Sequence, residues 1–172
     1  MTLGELVAGA RTLAPSAREA IERLGVGGCR VSAVVHDSRA ASSGGVFVAI
    51  KGQRADGTIF VEQAASRGAV AVIAEVPAPA GVTLPWIQTA DARLSLAELS
   101  SVFYGNPSQD LQLVGVTGTN GKTTCTYLLS SIFEAADMPC GRIGTVSFKV
   151  AGEERDASHT TPEASELQRL LR

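Results

Sequence analysis

The chain has 172 residues, 45% of them apolar and 19% charged, with a formal net charge of −2 at pH 7. That length holds one large domain or two small ones, and that apolar share excludes wholesale disorder. Mild acidity and only 5% aromatic residues speak against general binding to nucleic acid or anionic membranes, and against a stacking platform for single strands.

Met1 to Glu5 carries an acid where a secretory signal is basic or apolar, so the chain is expected in the cytoplasm. Leu3, Leu6 and Val7, then Ala17, Ile21 and Leu24, fall at helical spacing and predict short helices. Val31 to Val35 reads as a strand. Asp37-Ser38-Arg39 follows it, then Ser42-Ser43-Gly44-Gly45 as a turn. Val46 to Ile50 is an unbroken apolar run, as in a strand buried on both faces. Gly52 to Gly57 reads as a loop and Ile59 to Arg67 as a helix closed by Gly68. Ala69 to Ala74 is a second buried strand. It is the longest strongly apolar stretch and falls far short of the ~20 residues of a membrane span. Val76 to Gly81 is a surface loop, Trp86 to Gln88 a short strand, and Asp91 the N-cap of a helix from Ala92 to Tyr104. This alternation predicts a parallel α/β sheet.

Gly105 to Asp110 breaks the pattern and divides a domain over residues 1–109 from a second over 110–172. In the second, Leu111 to Val116 predicts a buried strand, Lys122 to Ala136 a helix, Cys140 to Val150 strands and Ala151 to Thr161 a polar loop. Pro162, behind Thr161 as N-cap, opens a helix still running at Arg172. The chain is therefore expected to be an N-terminal piece of a longer protein, its second domain only begun. Cys29, Cys125 and Cys140, without CxxC spacing, read as buried thiols rather than a disulfide framework or a zinc site.

The strongest chemical signal runs from Val114 to Thr124, where an apolar run enters a glycine-punctuated turn and then a helix. Gly118 and Gly121 can take positive φ, so that backbone N–H groups converge on phosphate oxygens. The helix start presents further N–H groups and its positive dipole end. Lys122 adds a point charge for the β- and γ-phosphates, and the Thr123 hydroxyl is placed for Mg²⁺. The spacing is the short GxxGKT form, since Val116 stands where the generic GxxxxGK[ST] pattern has glycine.

GTNGKTT, residues 118–124, resembles the ATP loop of the Mur ligases and their folylpolyglutamate synthase relatives. Asp37-Ser38-Arg39 with Gly45 to Ala49 resembles the signature of the Mur ligase N-terminal domain, and Gly52 to Gly57 with Phe60, Ala64 and Gly68 to Ala71 continues it. His159-Thr160-Thr161-Pro162-Glu163 is similar to the TTPE motif of the Mur ligases that add the third residue of the peptidoglycan stem peptide.

The resemblance implies an N-terminal UDP-binding α/β domain followed by the start of a P-loop parallel-sheet ATPase domain. It implies an ATP-dependent, amide-forming ligase in which the carboxylate of UDP-N-acetylmuramoyl-L-alanyl-D-glutamate is phosphorylated and then attacked by meso-diaminopimelate or L-lysine. ATP and Mg²⁺ are the implied cofactors, and a monomer is the implied state. Gly118, Thr119, Asn120, Gly121, Lys122, Thr123 and Thr124 would hold ATP, with Lys122 catalytic and Thr123 nearest Mg²⁺. His36, Ser38, Gln53, Arg54 and Ala55, together with His159, Thr160 and Thr161, would hold the UDP substrate. By itself the chain is expected not to turn over. Alternatives are a non-catalytic fragment that binds UDP-sugar or ATP, or another ligase of the superfamily such as a folylpolyglutamate synthase. Ser38 would also serve as a turn cap and Thr161 as a helix cap.

Overall fold

The computed structural model describes residues 1–172 apart from 12, 14, 53, 54 and 157–160, and apart from the side chains of 15 and 16. Helix α1 (Leu3–Gly9) opens with a capping box. The Thr2 hydroxyl accepts from the Glu5 N–H at 3.3 Å, and the Glu5 carboxylate accepts from the Thr2 N–H at 2.7 Å. Two N–H groups that the helix leaves unpaired are thereby satisfied. Helix α2 is Pro15–Arg23.

Four parallel strands, β1 (Ala33–Val35), β2 (Gly45–Ala49), β3 (Ala69–Ala74) and β4 (Trp86–Gln88), lie side by side in chain order. A 3-10 turn at Ser38–Ala40 leads from β1 towards β2, and a second at Gly57–Phe60 runs into α3 (Val61–Ser66) before β3. Helix α4 is Ala92–Phe103. β2 is buried throughout and β3 at every residue but Val70, which is why these two read as unbroken apolar runs. Along β2, Val46 and Val48 enter a core with Leu3 and Leu6 of α1, Ile21 of α2, and Leu96 and Leu99 of α4. Phe47 and Ala49 enter the opposite core with Val61 and Ala64 of α3.

The sheet's amino edge is closely stitched. The Gly44 N–H donates to the Gly68 carbonyl at 3.0 Å, and the Ser32 N–H to the Gly44 carbonyl at 3.0 Å. Gly68 sits at φ +96°, and a Cβ there would lie 2.8 Å from Ser43 Cα, so only glycine both ends α3 and admits this approach. At the far side of the sheet Asp91 caps α4 as predicted, accepting from the Leu94 N–H at 2.8 Å. Glu75, just past β3, accepts from the Ala92 N–H at 3.1 Å.

The second region departs from expectation. Residues 111–116 form no strand, and Leu113 and Val114 are 57% and 64% exposed. Among the described residues no neighbouring strand pairs with them, so neither backbone bonds nor burial are available. After α5 (Lys122–Ala135) come β5 (Arg142–Ile143), β6 (Ser147–Val150) and β7 (Glu153–Asp156), which pair antiparallel in that order. The three strands described in this region are thus antiparallel, and the parallel sheet of the expected α/β fold is the four-stranded one, β1 to β4.

β7 lies within the predicted polar loop. Ala151 and Gly152 both take positive φ, +52° and +83°. That is the conformation of a tight two-residue hairpin, which pairs Val150 with Glu153 despite charged, exposed side chains. Helix α6 (Ala164–Leu171) has Glu163 as N-cap, without a side-chain capping bond, rather than Thr161. α6 lies along α4, with Ala164 against the first core. The three cysteines are free but not buried: Cys125 is exposed, Cys29 and Cys140 intermediate. No helix among the described residues is long and apolar enough to cross a membrane.

Candidate functional site

The phosphate-loop candidate is an exposed turn that ends at the N-terminus of α5. Gly118 and Gly121 take φ of +144° and +77°, as their positions in the motif predict. A Cβ at Gly121 would meet nothing within 4 Å, so backbone conformation rather than space requires glycine there. The helix then propagates at once, with the Cys125 N–H donating to the Gly121 carbonyl at 2.9 Å. The Lys122 ammonium folds back over the turn, donating to the carbonyl of Gly118 and, at 3.3 Å, to that of Thr119. Its charge is thereby held on the loop's own backbone. Thr123 is half-buried in the first helical turn, and Thr119, Asn120 and Thr124 are exposed.

The second cluster lies at the carboxyl ends of β1 and β2, the edge where open α/β sheets take ligands. His36 follows β1 directly. Ser38 is buried, and its hydroxyl donates to Gln63 Oε1 of α3 at 2.5 Å. Asp37 caps the turn, accepting from the Arg39 N–H at 2.9 Å, and its Oδ2 receives the Arg39 guanidinium at 2.7 Å. That guanidinium holds the Asp37 carboxyl below its ordinary range, and Asp37 raises Arg39 in turn. Ala55, past β2, is exposed and accepts from the Gly52 N–H at 3.0 Å. Next to it the Thr58 N–H and hydroxyl hold Asp56 low. Gln53, Arg54, His159 and Thr160 lie outside the described residues. Thr161 is exposed.

Helix α6 brings distant sequence to this edge. His36 Nδ1 lies 3.3 Å from the Ser165 hydroxyl, and Arg93 of α4 donates to both carboxylate oxygens of Glu163 at 2.6 and 2.8 Å. The motif of residues 159–163 thus runs into a helix that touches His36, although the two are far apart in the chain.

Beyond this candidate turn, α5 is tied to the antiparallel sheet by polar groups. Arg142, 8% exposed, lies over the Tyr127 ring at 3.4 Å and donates to Ser147 Oγ at 3.0 Å and Glu154 at 2.5 Å. Lys149 donates to Glu134 at 2.6 Å. Lys149 and Ser130 hold the Glu134 carboxyl below its usual range, and Ser147 with Arg142 does the same for Glu154.

Sequence reasoning missed Gln63, the Arg93–Glu163 pair, Ser165 and the Arg142 cluster. None carries a local signal, because each partner arrives from another element. Among the described residues no group of three or more His, Cys, Asp or Glu side chains could hold a metal ion.

Comparison with known proteins adds the following. Residues 30–104 match the family model described as Mur ligase family, catalytic domain, and residues 116–172 match the Mur ligase middle domain. The chain is 45% identical over 136 residues to the UDP-N-acetylmuramoyl-L-alanyl-D-glutamate--2,6-diaminopimelate ligase of Geobacter sulfurreducens, covering 79% of this chain and 27% of that protein. It is 39% identical over 171 residues to the protein of the same name in Solibacter usitatus, covering 99% of this chain and 33% of the relative. A UDP-N-acetylmuramyl-tripeptide synthetase of Roseiflexus sp. is 47% identical over 146 residues, covering 83% and 28%. Among solved structures, a UDP-N-acetylmuramoyl-L-alanyl-D-glutamate--2,6-diaminopimelate ligase superposes with a TM-score of 0.65 at 28% identity, over 82% of this chain and 28% of the other. The chain therefore spans roughly 30% of the length of these curated relatives.

Proposed function

The chain belongs to the Mur ligase family, and from that premise we propose that it supplies the UDP-substrate platform and the ATP loop of an amide-forming ligase that extends UDP-N-acetylmuramoyl-L-alanyl-D-glutamate. The γ-phosphoryl group of ATP passes to the substrate's terminal carboxylate, releasing ADP and leaving an acyl phosphate. The amine of a diamino acid then forms the amide, loses a proton and expels phosphate. The relatives' names favour 2,6-diaminopimelate as that amine.

One observation carries the reading: two glycines at positive φ bracket a turn that opens α5, with the Lys122 ammonium already over that turn. The N–H groups of the turn and of the helix start suit the triphosphate, and Lys122 offsets charge that builds on the transferring phosphoryl group. To reach the nucleotide, Lys122 exchanges two carbonyl partners for phosphate oxygens. Thr123 is the residue of this chain that would hold Mg²⁺, through one hydroxyl. When bound, Mg²⁺ neutralises the β- and γ-phosphate oxygens. His36, Ser38 and Ala55 form the UDP side at the carboxyl ends of the strands, and Gln53, Arg54, His159, Thr160 and Thr161 are assigned to it by their motifs alone.

Calorimetric titration with MgATP tests the loop. Lys122→Ala should weaken binding about 10- to 100-fold, the worth of a hydrogen bond to a charged group, and leave the affinity for UDP-N-acetylmuramoyl-L-alanyl-D-glutamate unchanged. Equal MgATP affinity in the two proteins would remove the loop from the assignment.

A further inference from the structure

Ser38 has a hydroxyl that its own turn does not use. A serine in a turn commonly spends its side-chain oxygen on nearby backbone N–H groups. Here Asp37 takes that role, accepting from the Arg39 N–H at 2.9 Å. Ser38 instead reaches across to α3, where its hydroxyl donates to Gln63 Oε1 at 2.5 Å. Among the described residues nothing donates to the Ser38 side-chain oxygen in return. Ser38 is 5% exposed, so the protein and not bulk water sets the direction of this proton.

Other contacts hold the turn on α3. Arg67, just past α3, donates to the Arg39 carbonyl at 3.3 Å. Ala41, at the end of the turn, belongs to the second core with Val61 and Ala64 of α3. Gln63 itself is exposed, and a long exposed side chain held on one atom gives up rotamer freedom. What the bond fixes is chemical. A hydroxyl has one proton to give and two lone pairs to receive with. With its proton spent on Gln63, Ser38 can only accept from a further partner.

We propose that Gln63 is a positioning residue for the UDP substrate: by taking the Ser38 proton it keeps the lone pairs of that hydroxyl for the ligand, as an acceptor for an N–H or O–H group. This rests on the UDP reading above. Without the Gln63 carboxamide the hydroxyl is free to rotate and to present its proton, so the substrate must fix it on binding. Affinity for the UDP ligand then falls, while the turn before α5 is untouched.

The test is titration of the chain with UDP-N-acetylmuramoyl-L-alanyl-D-glutamate, with MgATP as the internal control. Gln63→Met, similar in length but without the carboxamide, should weaken the UDP ligand about 3- to 10-fold, the worth of one neutral hydrogen bond, and leave MgATP affinity unchanged. Gln63→Glu still accepts from Ser38 and should recover most of the loss. Gln63→Lys can only donate and should recover none. A mere charge effect on the ligand's diphosphate would rank these two variants the other way. In a Ser38→Ala background, Gln63→Met should change affinity by less than about twofold, because the group it acts through is gone. Three results each overturn the proposal: unchanged affinity in Gln63→Met, Gln63→Glu binding no better than Gln63→Lys, or a full further loss on the Ser38→Ala background. If the unaltered chain binds no UDP ligand, the UDP reading itself fails and this inference falls with it.

Discussion

The parallel sheet and the region after it use the same kinds of residue to opposite effect. In β2 and β3, Val46, Phe47, Val48, Val72 and Ile73 are wholly buried. In the second region Leu113, Val114, Leu128 and Ile132 are 57% to 64% exposed, and α5 buries only Ser130. An apolar run states a demand for partners, and the fold meets that demand only where other elements arrive to cover it. The first region is held by apolar packing on both faces of a sheet. The second is held by charge pairs and hydroxyls, through Arg142, Glu154, Glu134 and Lys149.

This contrast can be broken from either side. The largest effect is expected from Phe47→Ala, which empties the core beneath α3 and should cost about 3–5 kcal/mol. The chain's single tryptophan, Trp86, packs against that same core, so urea unfolding followed by its fluorescence reads the loss directly. A cost under ~1 kcal/mol would mean that this core is loosely filled.

Acid should separate the regions. Glu134 and Glu154 have carboxyls depressed by their folded partners. Their contribution is present above the unfolded value near ~4.3 and is lost as pH falls through the lower folded values. Between about pH 5 and pH 2, protection of α5 amides, corrected for intrinsic exchange, should fall before the Trp86 signal changes. Simultaneous loss would contradict the division.

The smallest effect is expected from Leu128→Gln and Ile132→Gln, each within about 0.5 kcal/mol when urea unfolding is followed by protection of the α5 amides, because those side chains bury little. A cost like that at Phe47 would show that α5 is covered in solution.

The parallel sheet was legible because its elements satisfy local rules. Apolar runs marked β2 and β3, Asp91 capped α4, and Gly68 closed α3 at a φ that other residues avoid. Residues 111–116 follow the same composition rule and form no strand, since pairing depends on a neighbour that no local signal supplies. β7 escaped notice because its side chains are all charged or polar. Its cue was the Ala151–Gly152 turn, where Ala151 is an unusual occupant of positive φ. At the candidate site, glycine spacing anticipated the positive φ of Gly118 and Gly121 in the turn before α5. The contact between Ser165 and His36 could not be anticipated, because it depends on where α6 docks and not on any spacing within 159–163.

The stitching of the sheet's amino rim limits where this protein tolerates added chain. A peptide spliced between Ser42 and Gly45 would have to part the Gly44–Gly68 and Ser32–Gly44 bonds and prise open the niche that admits no methyl group at Gly68. The stretch from Pro77 to Gly81 is fully solvated, with one backbone bond, from Val82 to Pro79, spanning it. An epitope or a fluorescent reporter belongs there, where the graft would burden neither core.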